Sequence, residues 1–417
     1  MAGLRTLGQP AAVAAVRALL GSRFPHAVVV TGPAGVGKST LALDIAAALL
    51  CSAEDPAAKP CGDCRACRMV GHGNHPDLHR LAPSGAGGGI SIGGRGERGV
   101  RDLVSDLALL PVEGGARVAI VEAAHRMSED AQSALLKTLE EPPTDTTILL
   151  CADDEERLLP TIRSRCTRIR LGPLGIRDVE AVLAARGVAD APTAARLARI
   201  TDGRPGHAIA FALAPAAATI RGEIARSLLD LLGAGLTARL SGVRELAGRA
   251  AELGRELDAG AERAATLDGG DVPAARGRGP RAGARSRTGG QPAGGSRASV
   301  GEPVAADPAA DGSEAAPEAP AGRVPATERR RAALLLVGIW RSVLRDLALA
   351  GRGATASIRD LDLLDDLAAA APTLSSARTG ELLRDLDLAG ERLEGNVSPE
   401  LVLDVLALRW MASARAA

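Results

Sequence analysis

Two hydrophobic periods alternate along this chain, and the switches between them outline its elements. HAVVVTG (26–32) is a short apolar run ending in glycine, the pattern of a strand buried on both faces. STLALDIAAALL (39–50) follows it with apolar residues at helical spacing. ARVAIVEA (116–123) and TTILLCAD (146–153) read as two further buried strands. Between them MSEDAQSALLKTLEEPP (127–143) reads as a helix: Ser128 caps it, Glu129 and Asp130 suit its positive end, and Pro142-Pro143 stops it. Strands separated by helices predict an α/β unit over residues 1–172, built on a mostly parallel sheet.

From residue 173 onward the pattern is helical only. IRDVEAVLAARG (176–187) and TAARLARIT (193–201) predict a small helical unit over 173–211. GEIARSLLDLLGAGLTARLSGVRELAGRAAELGREL (222–257), RRRAALLLVGIWRSVLRDLALAG (329–351) and SPELVLDVLALRWMASA (398–414) predict an all-helical unit over 212–417. Ser398 and Pro399 form an N-cap and first-turn pair. Residues 259–327 interrupt that unit with Ala, Gly, Pro, Arg and acidic residues almost free of large apolar side chains. Such a segment buries too little surface to offset its chain entropy, so disorder is expected there.

Composition narrows the picture. Hydrophobic residues make up 46% of the chain but aromatic ones only 1%, so Ala, Leu, Val and Ile must fill the cores. Lys+Arg and Asp+Glu are both 50, so net charge gives no hint of free-standing nucleic-acid binding. No apolar run reaches the ~18–20 residues of a membrane span and the N-terminus lacks a signal-peptide pattern, so a cytoplasmic location and no membrane partner are expected.

TGPAGVGKST (31–40) fits G-x-x-x-x-G-K-[ST], with a strand before it and a helix after. In that reading Gly32, Gly35 and Gly37 let the backbone approach phosphate oxygens, Lys38 reaches the terminal phosphates, Ser39 holds Mg²⁺, and Thr40 completes the loop. ATP or ADP with Mg²⁺ is the implied cofactor; the competing reading is a glycine-rich turn with a chance lysine. Lys38, Lys59 and Lys137 are the three lysines in the chain, and one falls where a compact ammonium is wanted. A hydrolase also needs an acid at the end of the second strand and a carboxylate beside it. Here that strand ends Glu122-Ala123-Ala124-His125. Glu122 reaches a metal through water, Ala123 offers no proton acceptor, and His125 reads either as a base or as a structural histidine. Binding without hydrolysis is the expectation.

Cys51, Cys61, Cys64 and Cys67 are spaced C-x9-C-x2-C-x2-C. Four thiolates close a tetrahedral Zn²⁺ site and leave no position for water, which would make the zinc structural. Disulfides are the competing reading, and His72, His75 and His79 lie close enough in sequence to replace a thiol. Cys151 reads as a small core residue. LLPTIRSRCTRIRL (158–171) places Arg163 and Arg165 in a polar turn before an alternating strand, either as a solvated basic loop or as a functional tip.

Several of these pieces together resemble one family. HAVVVTGPAGVGKST, the four cysteines, GHGNHPDLH (71–79), ALLKTLEEPP (134–143) and LLPTIRSRC (158–166) are similar to the AAA+ subunits of the bacterial sliding-clamp loader, and more to its delta-prime family than to its motor family. The resemblance covers residues 4–172 strongly. It continues weakly through TDGRPGHAIA (201–210) and LEGNVSPELVLDVLALRWM (393–411). It implies an AAA+ module with a zinc-binding insert, a helical lid and a helical collar. The implied setting is a hetero-pentameric ring with gamma/tau and delta subunits that loads the sliding clamp onto primed DNA for DNA polymerase III. It further implies a stator without polymerase or efficient ATPase activity, whose Arg165 enters a neighbouring subunit's ATP site. Ala123 replaces the acid expected in a motor, and Gly206 stands where a motor's lid arginine would be. The alternative is a working ATPase, either the gamma/tau motor or another AAA+ remodeller.

Overall fold

The structure is a computed structural model that describes residues 3–84, 88–94, 98–113, 115–267, 325–395 and 397–410. The expected apolar runs become β1 (Ala27–Thr31), β3 (Arg117–Val121) and β4 (Thr146–Ala152), joined by β2 (Leu78–Leu81) and β5 (Thr167–Arg170). All pairs are parallel, in the order β2-β3-β4-β1-β5. β1, β3 and β4 are buried throughout because they are central and helices cover both faces. On one face Val28 and Val30 pack with Leu41 and Ile45. On the other, Val29 and Ile148 pack with Leu103, Leu135 and Leu139. β2 has no strand signature of its own: His79 and Arg80 are only half-buried, and pairing with β3 defines it.

Around the sheet lie α1 (Pro10–Leu20), α2 (Lys38–Leu50), α3 (Arg65–Gly71), α4 (Val100–Leu107), α5 (Glu129–Glu140) and the short α6 (Pro160–Arg163). Ser128 caps α5 as expected, its Oγ accepting from Ala131 N–H at 3.2 Å. Leading into the sheet, residues 4–9 are tied down: buried Asp44 accepts from Thr6 N–H at 2.8 Å, Thr6 Oγ1 at 2.7 Å and Arg5 Nε at 3.2 Å.

The helical part comprises α7 (Ile176–Arg186), α8 (Ala191–Ile200), α9 (Pro205–Leu213), α10 (Pro215–Asp230), α11 (Leu236–Leu267), α12 (Ala326–Ala350), α13 (Leu364–Ala370), α14 (Ser376–Glu394) and α15 (Pro399–Arg409). One apolar cluster runs through all of them from Leu174 to Trp410. With so few aromatics, the two tryptophans meet at its centre: Trp340 and Trp410 pack edge-to-face with centroids 5.1 Å apart, and Trp410 Nε1 donates to Leu228 O at 2.9 Å. A buried Arg221–Asp360 pair at 2.5 Å ties α10 to the loop after α12.

The boundary of the interruption differs from expectation. α11 continues to Leu267, into the segment expected to lack structure, and α12 begins at Ala326. The reason is packing by small residues. Gly260 lies so close to α9 that a Cβ there would sit 2.2 Å from Ala210 O, and Ala264 packs against the common core. Small side chains that look inert in a composition count let two helix backbones approach. The rest of the expected disorder, 268–324, lies outside the described residues. Among the described residues no single helix is long and apolar enough to cross a membrane; the apolar pair α9 and α10 is bent by 106° and belongs to the buried cluster.

Candidate functional site

β1 delivers the chain to Gly32, Gly35 and Gly37, whose φ values of +144°, +79° and +104° belong to backbone that L side chains rarely adopt. At Gly32 a Cβ would also lie 2.2 Å from Leu171 O. The glycines therefore serve the loop's path over the end of β1, and α2 opens directly behind them with its free N–H groups facing that loop. Ser39 and Thr40 stand in the first turn of α2, Ser39 exposed.

Lys38 is only 7% exposed and turns back into its own loop. Its ammonium donates to Gly32 O and Pro33 O, both at 2.7 Å, and pairs with Asp153 Oδ1 at 2.7 Å. An ammonium has three N–H donors, so all are engaged. Asp153 comes from the end of β4. It is next to the loop because β4 and β1 run parallel with Thr31 opposite Ala152, and Gly32 N–H donates to Ala152 O at 3.3 Å. His125 stands behind Asp153. Its Nδ1 accepts from Asp153 N–H at 3.1 Å, and its Nε2 lies 3.7 Å from Asp153 Oδ2. Burial holds the His125 pKa below its ordinary value, so near neutral pH this ring is an uncharged support.

Glu122, at the end of β3, is taken by Arg80 from β2: Nε donates to Oε1 at 2.9 Å and Nη2 at 2.5 Å. Ala123 follows in a left-handed conformation (φ +51°) and presents only a methyl group. From above, the start of α9 rests on the loop. Gly206 N–H donates to Gly35 O at 2.8 Å, and the His207 ring packs so near that a Cβ on Gly35 would meet its Cδ2 at 2.7 Å. Burial, followed by the nearby Arg204 charge, pushes His207 down to about 4.

The four cysteines converge at the end of α2 and the start of α3, with their sulfurs within 4.8 Å of one another. Cys51 and Cys64 sulfurs are 3.9 Å apart, and those of Cys61 and Cys67 4.0 Å. A tetrahedral site with Zn–S bonds of ~2.3 Å has corners about 3.8 Å apart, whereas a disulfide needs ~2.05 Å. The spacing therefore fits metal ligation and rules out disulfides between these pairs. Backbone N–H groups of Ala53 and Cys61 point at Cys51 Sγ, Cys64 N–H at Cys61 Sγ and Cys67 N–H at Cys64 Sγ, at 3.3–3.5 Å. Burial opposes ionisation, but hydrogen bonds from Cys67 and Ser52 bring Cys64 down to about 6, while burial drives Cys67 up. A cation resolves that conflict by stabilising all the thiolates together. Two of the alternative histidine ligands are committed elsewhere. His75 Nδ1 accepts from Asp77 N–H at 3.1 Å with Nε2 facing Glu113 at 3.6 Å, and His79 faces Asp106 at 3.6 Å. Cys151 is a buried core thiol, pushed up to about 12 by burial.

Arg165 follows the end of α6 and is 35% exposed. Its Nη2 pairs with Glu140 Oε1 at 2.6 Å, and its Nη1 donates to Thr161 O at 2.9 Å. Among the described residues, its polar partners are Thr161, Ser164 and Glu140, all outside the Gly32–Thr40 loop of its own chain.

The sequence model of the family described as DNA polymerase III, delta subunit, matches residues 9–175. Over these residues the chain is similar to that family and to curated delta-prime subunits of the clamp loader. The delta-prime subunit of Pseudomonas aeruginosa is 40% identical over 186 residues, covering 44% of this chain and 55% of that one. The Escherichia coli delta-prime subunit is 34% identical over 189 residues, covering 45% and 55%. The Escherichia coli tau subunit is 33% identical over 189 residues, covering 43% of this chain and 28% of its own. The chain thus spans about half the length of the delta-prime relatives it matches. A gamma-subunit-related protein from Thermotoga maritima superposes with a TM-score of 0.38 at 15% identity, covering 95% of this chain and 98% of that one.

In this α/β unit the residues expected from sequence fall into three places. The glycine loop, Lys38 and Glu122 gather at the carboxyl ends of β1 and β3; the cysteines form a separate cluster; and Arg165 stands apart on its own turn. Sequence reasoning missed Asp153 and Arg80, the partners of Lys38 and Glu122. An acid just past a buried strand that flanks the loop strand is a usable signal only once the strand order is known.

Proposed function

We propose that this protein is the delta-prime stator of a bacterial DNA polymerase III clamp loader. In this reading it joins gamma/tau and delta subunits in a five-membered ring that places the sliding clamp on primed DNA. In this reading an AAA+ module occupies residues 1–172 with its cysteine insert at 51–67, a helical lid follows over 173–211, and a collar over 212–417 carries the ring contacts. The four cysteines hold one structural Zn²⁺. Mg-nucleotide, where bound at Lys38, Ser39 and Thr40, is held without turnover, and Arg165 completes the ATP site of a neighbouring subunit.

The observation that carries the stator reading is the end of β3. Glu122 is neutralised by Arg80 and Ala123 has no acceptor, so neither position offers a free carboxylate to activate water. The isolated chain is therefore expected to release phosphate from Mg-ATP far more slowly than ~1 s⁻¹, an ordinary enzyme rate. A steady-state phosphate-release assay checks this, and turnover at or above that rate would support a motor instead. The similarity to tau and the intact Lys38 loop favour that second reading. Reconstitution with purified gamma/tau and delta subunits, followed by size-exclusion analysis, tests the assembly; a chain that stays out of the ring is not its stator.

A further inference from the structure

The phosphate loop already contains an anion. Lys38, nearly buried, spends one of its three donors on the Asp153 carboxylate at 2.7 Å and the other two on loop carbonyls at 2.7 Å. Those carbonyls are neutral and belong to the loop itself. Asp153 alone brings a full negative charge, and it arrives from a different strand. Its backbone is fixed: the parallel register of β4 beside β1 sets its course, and half-buried His125 accepts its N–H at 3.1 Å. The carboxylate thus occupies the position at the lysine that a terminal phosphate oxygen would need.

Resting on the reading of residues 31–40 as a phosphate loop, we propose that Asp153 is an internal occupant of the phosphate position that competes with nucleoside polyphosphates for Lys38. A polyphosphate entering the loop must displace the carboxylate from the ammonium and then accommodate a second negative charge beside its own. The barrier is electrostatic and specific to one side chain. Asp153 is 38% exposed, so it has room to swing toward water once displaced, which makes the competition a matter of affinity and not of permanent closure. His125, through its hydrogen bond from the Asp153 backbone N–H, helps hold this end of β4 beside the loop.

The test uses the full chain and measures equilibrium binding of a fluorescent ATP analogue with Mg²⁺, with unlabelled pyrophosphate as competitor. Asp153→Asn keeps the side chain's size and removes its charge; Asp153→Ala removes the group. Both are expected to bind the analogue more tightly than wild type, with solvent screening at a partly exposed carboxylate limiting the gain to about tenfold. Thermal melting with and without Mg-ATP gives a second readout, since tighter binding raises the ligand-induced shift. Unchanged affinity in folded variants would overturn the proposal, as would absence of binding in all of them, because the carboxylate would then not be what limits access. Weaker binding would overturn it in the other direction, by showing that Asp153 serves the Mg-nucleotide. Lys38→Ala in the Asp153→Asn background separates the two levels of the argument. If binding survives that change, the phosphate-loop reading itself fails, whatever the fate of Asp153.

Discussion

Arg165→Ala is expected to leave folding and ring assembly intact while lowering the DNA- and clamp-stimulated ATPase of a reconstituted loader. The side chain is partly exposed and its ion pair with Glu140, itself half-exposed, is of a kind that adds little to stability. That weak hold suits a guanidinium that must exchange Glu140 for a neighbour's phosphate. Guanidinium stays charged at all working pH values and presents a fork of donors to charge developing on a transferring phosphoryl group. Fingers of this type contribute ~10³–10⁵ in rate at their own site, and with the other sites in a ring intact the loss for the whole complex is expected to be about twofold to tenfold. Arg163→Ala is the control, since Arg163 lies within α6 and not on the turn beyond it. An Arg165→Ala loader that assembles and hydrolyses ATP at the wild-type rate would remove the finger from this chain.

Metal analysis of the purified protein is expected to give about one zinc per chain, and Cys64→Ser to release it. Outer-shell partners of zinc alone are worth ~10–100-fold in affinity, so loss of a direct thiolate ligand should exceed that. The variant should also lower the melting temperature of the region formed by the end of α2 and by α3, where Cys51 and Cys67 are buried. Each thiol must lose its proton to bind, so zinc is retained at neutral pH and released as the pH falls. Protein that contains no zinc and whose four cysteines alkylate freely without denaturant would exclude the site.

Much of this architecture was legible in the chain because its signals are local. A strand buried on both faces must be continuously apolar, so β1, β3 and β4 declared themselves, and Ser128 with Pro142-Pro143 bounded α5. The cysteine spacing carried its own geometry, because three ligands within a tight turn and helix start can converge only on a common point. The loop glycines likewise announced themselves, since their backbone conformations exclude most other residues.

What the sequence by itself determined, then, was the set of elements and the donor groups they carry. What only the tertiary structure decided was the pairing of those groups. Asp153 meets Lys38 because β4 lies beside β1, and Arg80 meets Glu122 because β2 lies beside β3. α11 runs on to Leu267 because Gly260 lets it press against α9. In each case the partners are distant along the chain, and the energy that joins them is a short-range contact or a charge pair in a partly dry site. Periodicity and spacing report what a segment buries; they hold no record of which other segment arrives to cover it.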